Sequence, residues 1–145
     1  MRWATSGAPP GHFAAWSLHN LGYVARHLHD IEQVVACFTE SLRRFEELNT
    51  KDGIVNCLVG LAGAFGTEGQ PERAARLFGT VNALYDVTSM HMAPVTRAEY
   101  THNMTDTQAQ LDEATWAAAW AVGQAMSLEE AVADAFQGRI REAGT

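Results

Sequence analysis

The 145-residue sequence predicts an all-α solenoid of two helix-pair repeats followed by about three further helices, and three observations predict it. Residues 18–42 and 58–82 are weak copies of each other offset by forty positions: Leu18, Leu21, Glu32 and Phe38 fall on Leu58, Leu61, Glu72 and Phe78, and Val34 and Val35 fall on Ala74 and Ala75. A period of roughly 34 to 47 residues is that of a stacked two-helix unit, which cannot bury its apolar face alone. Apolar residues recur at helical spacing, punctuated by helix caps and breakers. After about residue 87 the echo stops while the helical spacing continues.

Taken in order, Met1 to Gly11 is rich in breakers (Ser6, Gly7, Pro9, Pro10, Gly11) and reads as a flexible tail. Phe13, Trp16, Leu18, Leu21, Val24 and Leu28 place the apolar stripe of a first helix from His12 to about His29. Asp30, three residues before Gln33, is a capping arrangement that starts a second helix from Ile31 to about Leu48, with Val34, Val35, Phe38, Leu42 and Phe45 facing inward. The first repeat is thus residues 12–48. Asn49 to Gly53 reads as a polar turn, and a third helix follows through Ile54, Leu58, Leu61 and Phe65 to Gly69. Pro71 suits a first helical turn, where no amide donor is needed, and Glu72 suits the positive helix end. A fourth helix then runs to about Val87 and closes the second repeat, residues 49–87.

Residues 96–143 are expected to cap this array. Thr96 with Glu99 would open a fifth helix to about Leu111, whose apolar side is Tyr100, Met104 and Leu111. Trp116 and Trp120 stack on one face of an alanine-rich sixth helix. Ser127 with Glu130 caps a seventh, expected to fray after Gly138. Two repeats are fewer than the three or so a solenoid needs, so these helices must cover the second repeat. Nothing comparable covers the first, and such an open apolar edge predicts a homodimer through residues 12–48.

Composition narrows the function. At 145 residues and 47% hydrophobic content the chain supports one core of ordinary size. Of its formal charge of −7, residues 99–145 carry all but one unit, and its one lysine is Lys51. Nucleic-acid binding rests on Lys and Arg neutralising phosphates, so direct DNA or RNA binding is not expected. There is no secretory signal pattern and no apolar run of membrane-spanning length, which gives a cytoplasmic reading with no membrane partner. Cys37 and Cys57 are too few and too far apart for a zinc ribbon or a redox pair.

The string Leu18, Leu21, Gly22, Val34, Phe38, Ser41 resembles the tetratricopeptide motif, with its large–Leu–Gly signature in one helix and small–aromatic–small signature in the next. The second copy departs at Ala62 and Val81. A narrower resemblance runs through His19–Ala25, Cys57–Ala62, Gly69–Gly79, Arg97–Tyr100 and Ala118–Ala131. These stretches are similar to the C-terminal sensor region of large bacterial regulators that join a P-loop ATPase, a tetratricopeptide-like array and often a LuxR-type helix-turn-helix. The resemblance implies a non-catalytic sensor or scaffold module that takes up a protein, peptide or small-molecule partner. This chain has no GxxxxGK and no basic recognition helix, so neither ATP hydrolysis nor promoter binding carries over.

In the tetratricopeptide register the first helix of each repeat lines the concave face. Trp16, His19, Tyr23, Arg26 and His27 would face the groove from repeat one, offering aromatic surface beside a cation. Asn56, Val59, Gly63, Gly66 and Thr67 occupy the same positions in repeat two, and their small size could leave a pocket; equally, the glycines could let the fifth helix pack closely over Trp16 and Tyr23. His27 and His29, two apart, do not share a helical face as a zinc pair would, while Met90, His91 and Met92 offer soft ligands of the kind copper takes. Loop histidines and gap-filling methionines explain the same residues. No nucleophile lies beside a base, and nothing points to a cofactor. A small helical enzyme or small-molecule receptor built around an enclosed pocket is the alternative reading.

Overall fold

A computed structural model describes residues 11–88 and 94–144. Among them lie seven helices and no strand: α1 (His12–His27), α2 (Ile31–Leu48), α3 (Lys51–Thr67), α4 (Pro71–Thr88), α5 (Pro94–Gln108), α6 (Glu113–Ala125) and α7 (Leu128–Gly144). The all-α solenoid reading holds, and the forty-residue echo is also a geometric one. α2 and α4 match end for end under the shift, as do the C-termini of α1 and α3. Even the reversal inside each pair is the same. His29 (φ 59°) and Gly69 (φ 84°) occupy equivalent left-handed positions. The following amide returns to the preceding helix in both, Asp30 N to Ala25 O at 3.0 Å and Gln70 N to Phe65 O at 2.8 Å.

Helix ends follow local chemistry, and several differ from the sequence expectation. α1 stops at His27 rather than His29, because His29 has already entered the left-handed region. Asp30 caps α2 by accepting from Gln33 N at 3.3 Å. The polar stretch before α3 is shorter than Asn49–Gly53: Asn49 (φ 55°) makes the reversal by itself and Lys51 is already helical. α5 starts at Pro94, so Thr96 lies in its first turn and not at its cap. It ends at Gln108 instead of Leu111, since residues 109–111 form turn hydrogen bonds. Asp112 then caps α6 through Thr115 N at 2.7 Å. Ser127 and Glu130 cap α7 reciprocally, at 2.8 and 3.1 Å, and that helix continues past Gly138 to Gly144. The expected tail and the Met90–His91–Met92 cluster lie outside the described residues.

The core is organised around α3. Every residue from Gly53 to Gly66 is buried, as a helix without a polar face must be. Phe38 of α2 is wedged between Gly22 of α1 and Gly60 of α3, each of which leaves room only for its ring, and Phe45 rests on Gly53 in the same way. Cys57 donates to Ser41 Oγ at 3.2 Å and Ser41 donates to Ala15 O at 2.7 Å, a short relay joining three helices. Full burial pushes the Cys57 thiol up to about 12, so it behaves as packing rather than as a reactive group.

The last three helices enclose the second repeat. α5 lies mainly on α3, with Tyr100 edge-on to Phe78 at 5.7 Å, and α6 lies on α4; α5 and α6 are not packed together as a pair. α7 buries Ala131, Val132 and Ala135, pairs Asp134 with Arg76 at 3.4 Å, and sets Phe136 under Arg43. Trp116 and Trp120 stack at 5.5 Å.

Among the described residues, α1 packs mainly against α2. Its buried side is Ala15, His19, Gly22, Tyr23 and Ala25. Four residues of the predicted apolar stripe instead face solvent: Phe13 is 66% exposed, Leu21 and Val24 52%, and Leu28 73%. These four residues are exposed, while Trp16 of the same stripe packs against Phe45 of α2.

Candidate binding cleft

The aromatic residues of α1 form a ladder against α2. Trp16 meets Phe45 at 4.8 Å and His19 at 5.2 Å; His19 meets Tyr23 at 5.2 Å and Phe38 at 5.6 Å; Tyr23 meets Phe38 at 5.0 Å, all edge to face. His19 and Tyr23 are therefore inside the molecule, and Trp16 is half-buried. Burial holds the His19 pKa below its ordinary 6.5, opposed by the Asn20 side chain and a backbone hydrogen bond at Asn56. Asn56 is also buried, its amide donating to Asp52 O at 2.7 Å.

Gly63 has a different part. A Cβ there would lie 2.6 Å from Asn103 Nδ2 of α5 and 3.1 Å from an Arg26 guanidinium nitrogen, so α1, α3 and α5 meet over this one residue. Gly66 accommodates Thr107 of α5 in the same manner. The close approach of α5 expected from the two glycines is present, whereas Trp16 and Tyr23 pack towards α2. Arg26 is what spans the junction. Its Nε lies 3.0 Å from Glu99 Oε1 and its Nη2 donates to Asn103 Oδ1. Both ion-pair partners are about four-fifths buried, a setting in which the pair counts for more than one at the surface.

Beside this clamp opens a cleft of about 380 Å³, within the size range of small ligand sites. Arg26 and His27 line it from α1, His29 from the turn, Ile31 and Val34 from α2, Thr67 from α3, and Glu99 and His102 from α5. The wall supplied by α2 is apolar and the rest is polar, with three imidazoles able to donate or accept and one carboxylate already engaged by Arg26. The cleft is open on its outer side. It can hold an apolar side chain and hydrogen-bond the groups flanking it. Among the described residues no group of three or more His, Cys, Asp or Glu is arranged to hold a metal ion.

Of the residues the sequence nominated for the groove, Arg26, His27 and Thr67 reach this cleft, while His19, Tyr23, Asn56 and Gly63 lie beneath it or beside it in the packed interior. Ile31 was read as the first residue of the second helix, Val34 as an inward-facing residue and Glu99 as part of a helix cap, and His102 was not singled out. The small wall at Gly63 and Gly66 was the one signal that another element would come to rest there.

Among protein families, the tetratricopeptide repeat matches this chain over residues 13–85, half its length. Comparison with curated proteins gave no significant match, and comparison with solved structures gave none either.

Proposed function

The chain belongs to the tetratricopeptide-repeat family, whose members mediate protein–protein contact or scaffolding, and from that premise we propose that it is a sensor module of a bacterial regulatory system. In this reading it acts in the cytoplasm, performs no covalent chemistry, and takes a peptide segment of a partner protein into the cleft beside the Arg26–Glu99 clamp. It associates with itself through the first repeat. The observation that carries the reading is the open cleft itself, which combines an apolar wall at Ile31 and Val34 with a hydrogen-bonding rim of three histidines. That pairing suits an apolar side chain held by main-chain contacts. The regulatory setting rests on the five stretches similar to bacterial regulators. Trp16, His19, Tyr23, Asn56 and Gly63 then serve the cleft from behind, by fixing α1 and α5 on α3. An enclosed small-molecule pocket is the weaker reading, because His19 and Asn56 converge on the core and not on a cavity.

Panning a random peptide library against the whole chain tests this. Enriched peptides should share an apolar residue, and His102→Ala together with Ile31→Glu should weaken their binding at least tenfold. Ile31 is the first residue of α2, where an added carboxylate favours the helix, so the fold should survive. An absence of enrichment, or equal binding by the double variant, would refute the proposal.

A further inference from the structure

The cleft beside the clamp has a charge that can move in one direction only. Arg26 Nε lies 3.0 Å from Glu99 Oε1, so the lining's one guanidinium and one carboxylate cancel. Ile31 and Val34 bring apolar side chains from α2, and Thr67 of α3 already gives its hydroxyl to Gly63 O at 3.0 Å. Every other ionisable group of the lining is a histidine: His27 from α1, His29 from the reversal and His102 from α5, all three exposed. Two more charges stand beside them. Asp30, next to His29, is occupied as the cap of α2 through Gln33 N, and Asp106, one turn beyond His102, lies 3.2 Å from its Nε2. Glu32 and Glu68 follow Ile31 and Thr67 in the chain.

Resting on the peptide-cleft reading above, we propose that the segment taken up carries an acidic side chain beside its apolar one, and that uptake tightens as the three imidazoles gain protons. A basic group in the occupant would find the lining's carboxylate taken by Arg26 and, in acid, three cations around it. An acidic group finds the reverse: each protonation adds one positive charge to a lining that starts with none in excess, and only His102 has a carboxylate of its own to offset it. Hydrogen bonding changes in the same sense. A carboxylate can only accept, so the His102 ring meets Asp106 with an Nε2–H, and its Nδ1 is a lone pair while the ring is neutral. On protonation that Nδ1 becomes a donor. Histidine is the side chain that makes this change between about pH 5 and 8, so the occupant is held weakly on the alkaline side and firmly on the acid side. The cleft thereby couples partner binding to pH, with Ile31 and Val34 supplying the part of the contact that does not vary.

Panning a random peptide library against the whole chain at about pH 6 and at about pH 8, then measuring selected histidine-free peptides by fluorescence anisotropy at both, tests this. Peptide aspartate and glutamate stay ionised across that range, so a change in affinity reports on the protein. Peptides enriched on the acid side should carry Asp or Glu beside an apolar residue and bind at least tenfold more tightly there than at about pH 8. In His27→Gln/His29→Asn/His102→Gln, with asparagine at the left-handed position it tolerates, that difference should shrink to within twofold while the helical circular dichroism is unchanged. His12 and His19 lie outside the lining and remain in this variant, so any dependence they cause survives in it. Enriched peptides that are basic or uncharged, an affinity that does not change with pH, or a triple variant that keeps the dependence overturns the acidic partner and leaves the cleft reading in place. No enrichment at either pH overturns both.

Discussion

Gly123→Ala gives a test whose sign depends on the structure. In an isolated helix this change is favourable, since Gly is about 0.8–1 kcal/mol less favourable than Ala. In this fold α6 crosses α4 at backbone contact. A Cβ on Gly123 would overlap the carbonyl oxygen of Arg76, and a Cβ on Gly79 would overlap that of Trp120, so each helix contributes a glycine to the other's backbone. A carbonyl cannot turn aside as a side chain can. The helices must separate, at an overpacking cost of about 1–3 kcal/mol. Separation also strains the hydrogen bond from Thr80 Oγ1 to Gly123 O, 2.6 Å, which contributes about 1 kcal/mol. Against the gain in propensity, the net expectation is a destabilisation of about 1–3 kcal/mol. For a chain of this size that lowers the melting temperature by about 3–10 °C. Thermal melts followed by circular dichroism, with urea titration for the free energy, measure it directly. Ala121→Gly, on the exposed side of the same helix, serves as the propensity control and should cost about 1 kcal/mol. A Gly123→Ala protein as stable as the parent, or more so, would show that α4 and α6 do not cross in contact and would refute the reasoning.

Two further outcomes are expected. His29→Gly should stabilise the chain by about 0.5–1 kcal/mol in urea titration, because His29 holds a left-handed φ of 59° that glycine adopts freely, as Gly69 does at the equivalent position. Stability should fall as pH drops below about 6.5: His19 has its pKa lowered by burial, so the unfolded chain binds a proton the folded one refuses, with a slope of at most about 1.4 kcal/mol per pH unit. Above that pH both states leave His19 neutral and its contribution is flat, and in chemical denaturation at a series of pH values His19→Leu should reduce the acid-side slope.

How much of this was legible beforehand varied with the kind of residue that makes each contact. α2 was read correctly to its last residue, because its inward face is made of large apolar groups and its start carries a capping aspartate. α1 was read as a helix from its apolar stripe, with no statement of which side faces inward. Its buried arc consists of alanine, glycine, histidine and tyrosine, weakly hydrophobic types that work by letting rings from α2 approach, while its strongly apolar arc is the exposed one. Periodicity locates a stripe but does not say whether a neighbour covers it. The cleft was less legible still. Its residues come from four helices and a turn, and they converge only because α5 leaves its own hairpin partner and settles on α3, a choice written in the pairing of Gly63 with Asn103 and of Gly66 with Thr107.

That choice follows from where the two repeats differ. Under the forty-residue shift Tyr23 and Arg26 become Gly63 and Gly66. In repeat one the large pair projects from α1, the tyrosine inward onto Phe38 and the arginine outward. In repeat two the same positions are vacant, and α5 sinks into the vacancy. Only at that depth can Glu99 and Asn103 reach Arg26 on the neighbouring repeat. A tyrosine and an arginine at positions 63 and 66 would hold α5 off by the thickness of a ring, the clamp would open, and the wall supplied by Glu99 and His102 would withdraw. The fold tolerates either arrangement, since both satisfy the packing of a helix pair. The cleft exists in one of them only, so the divergence of the second repeat from the first creates the site.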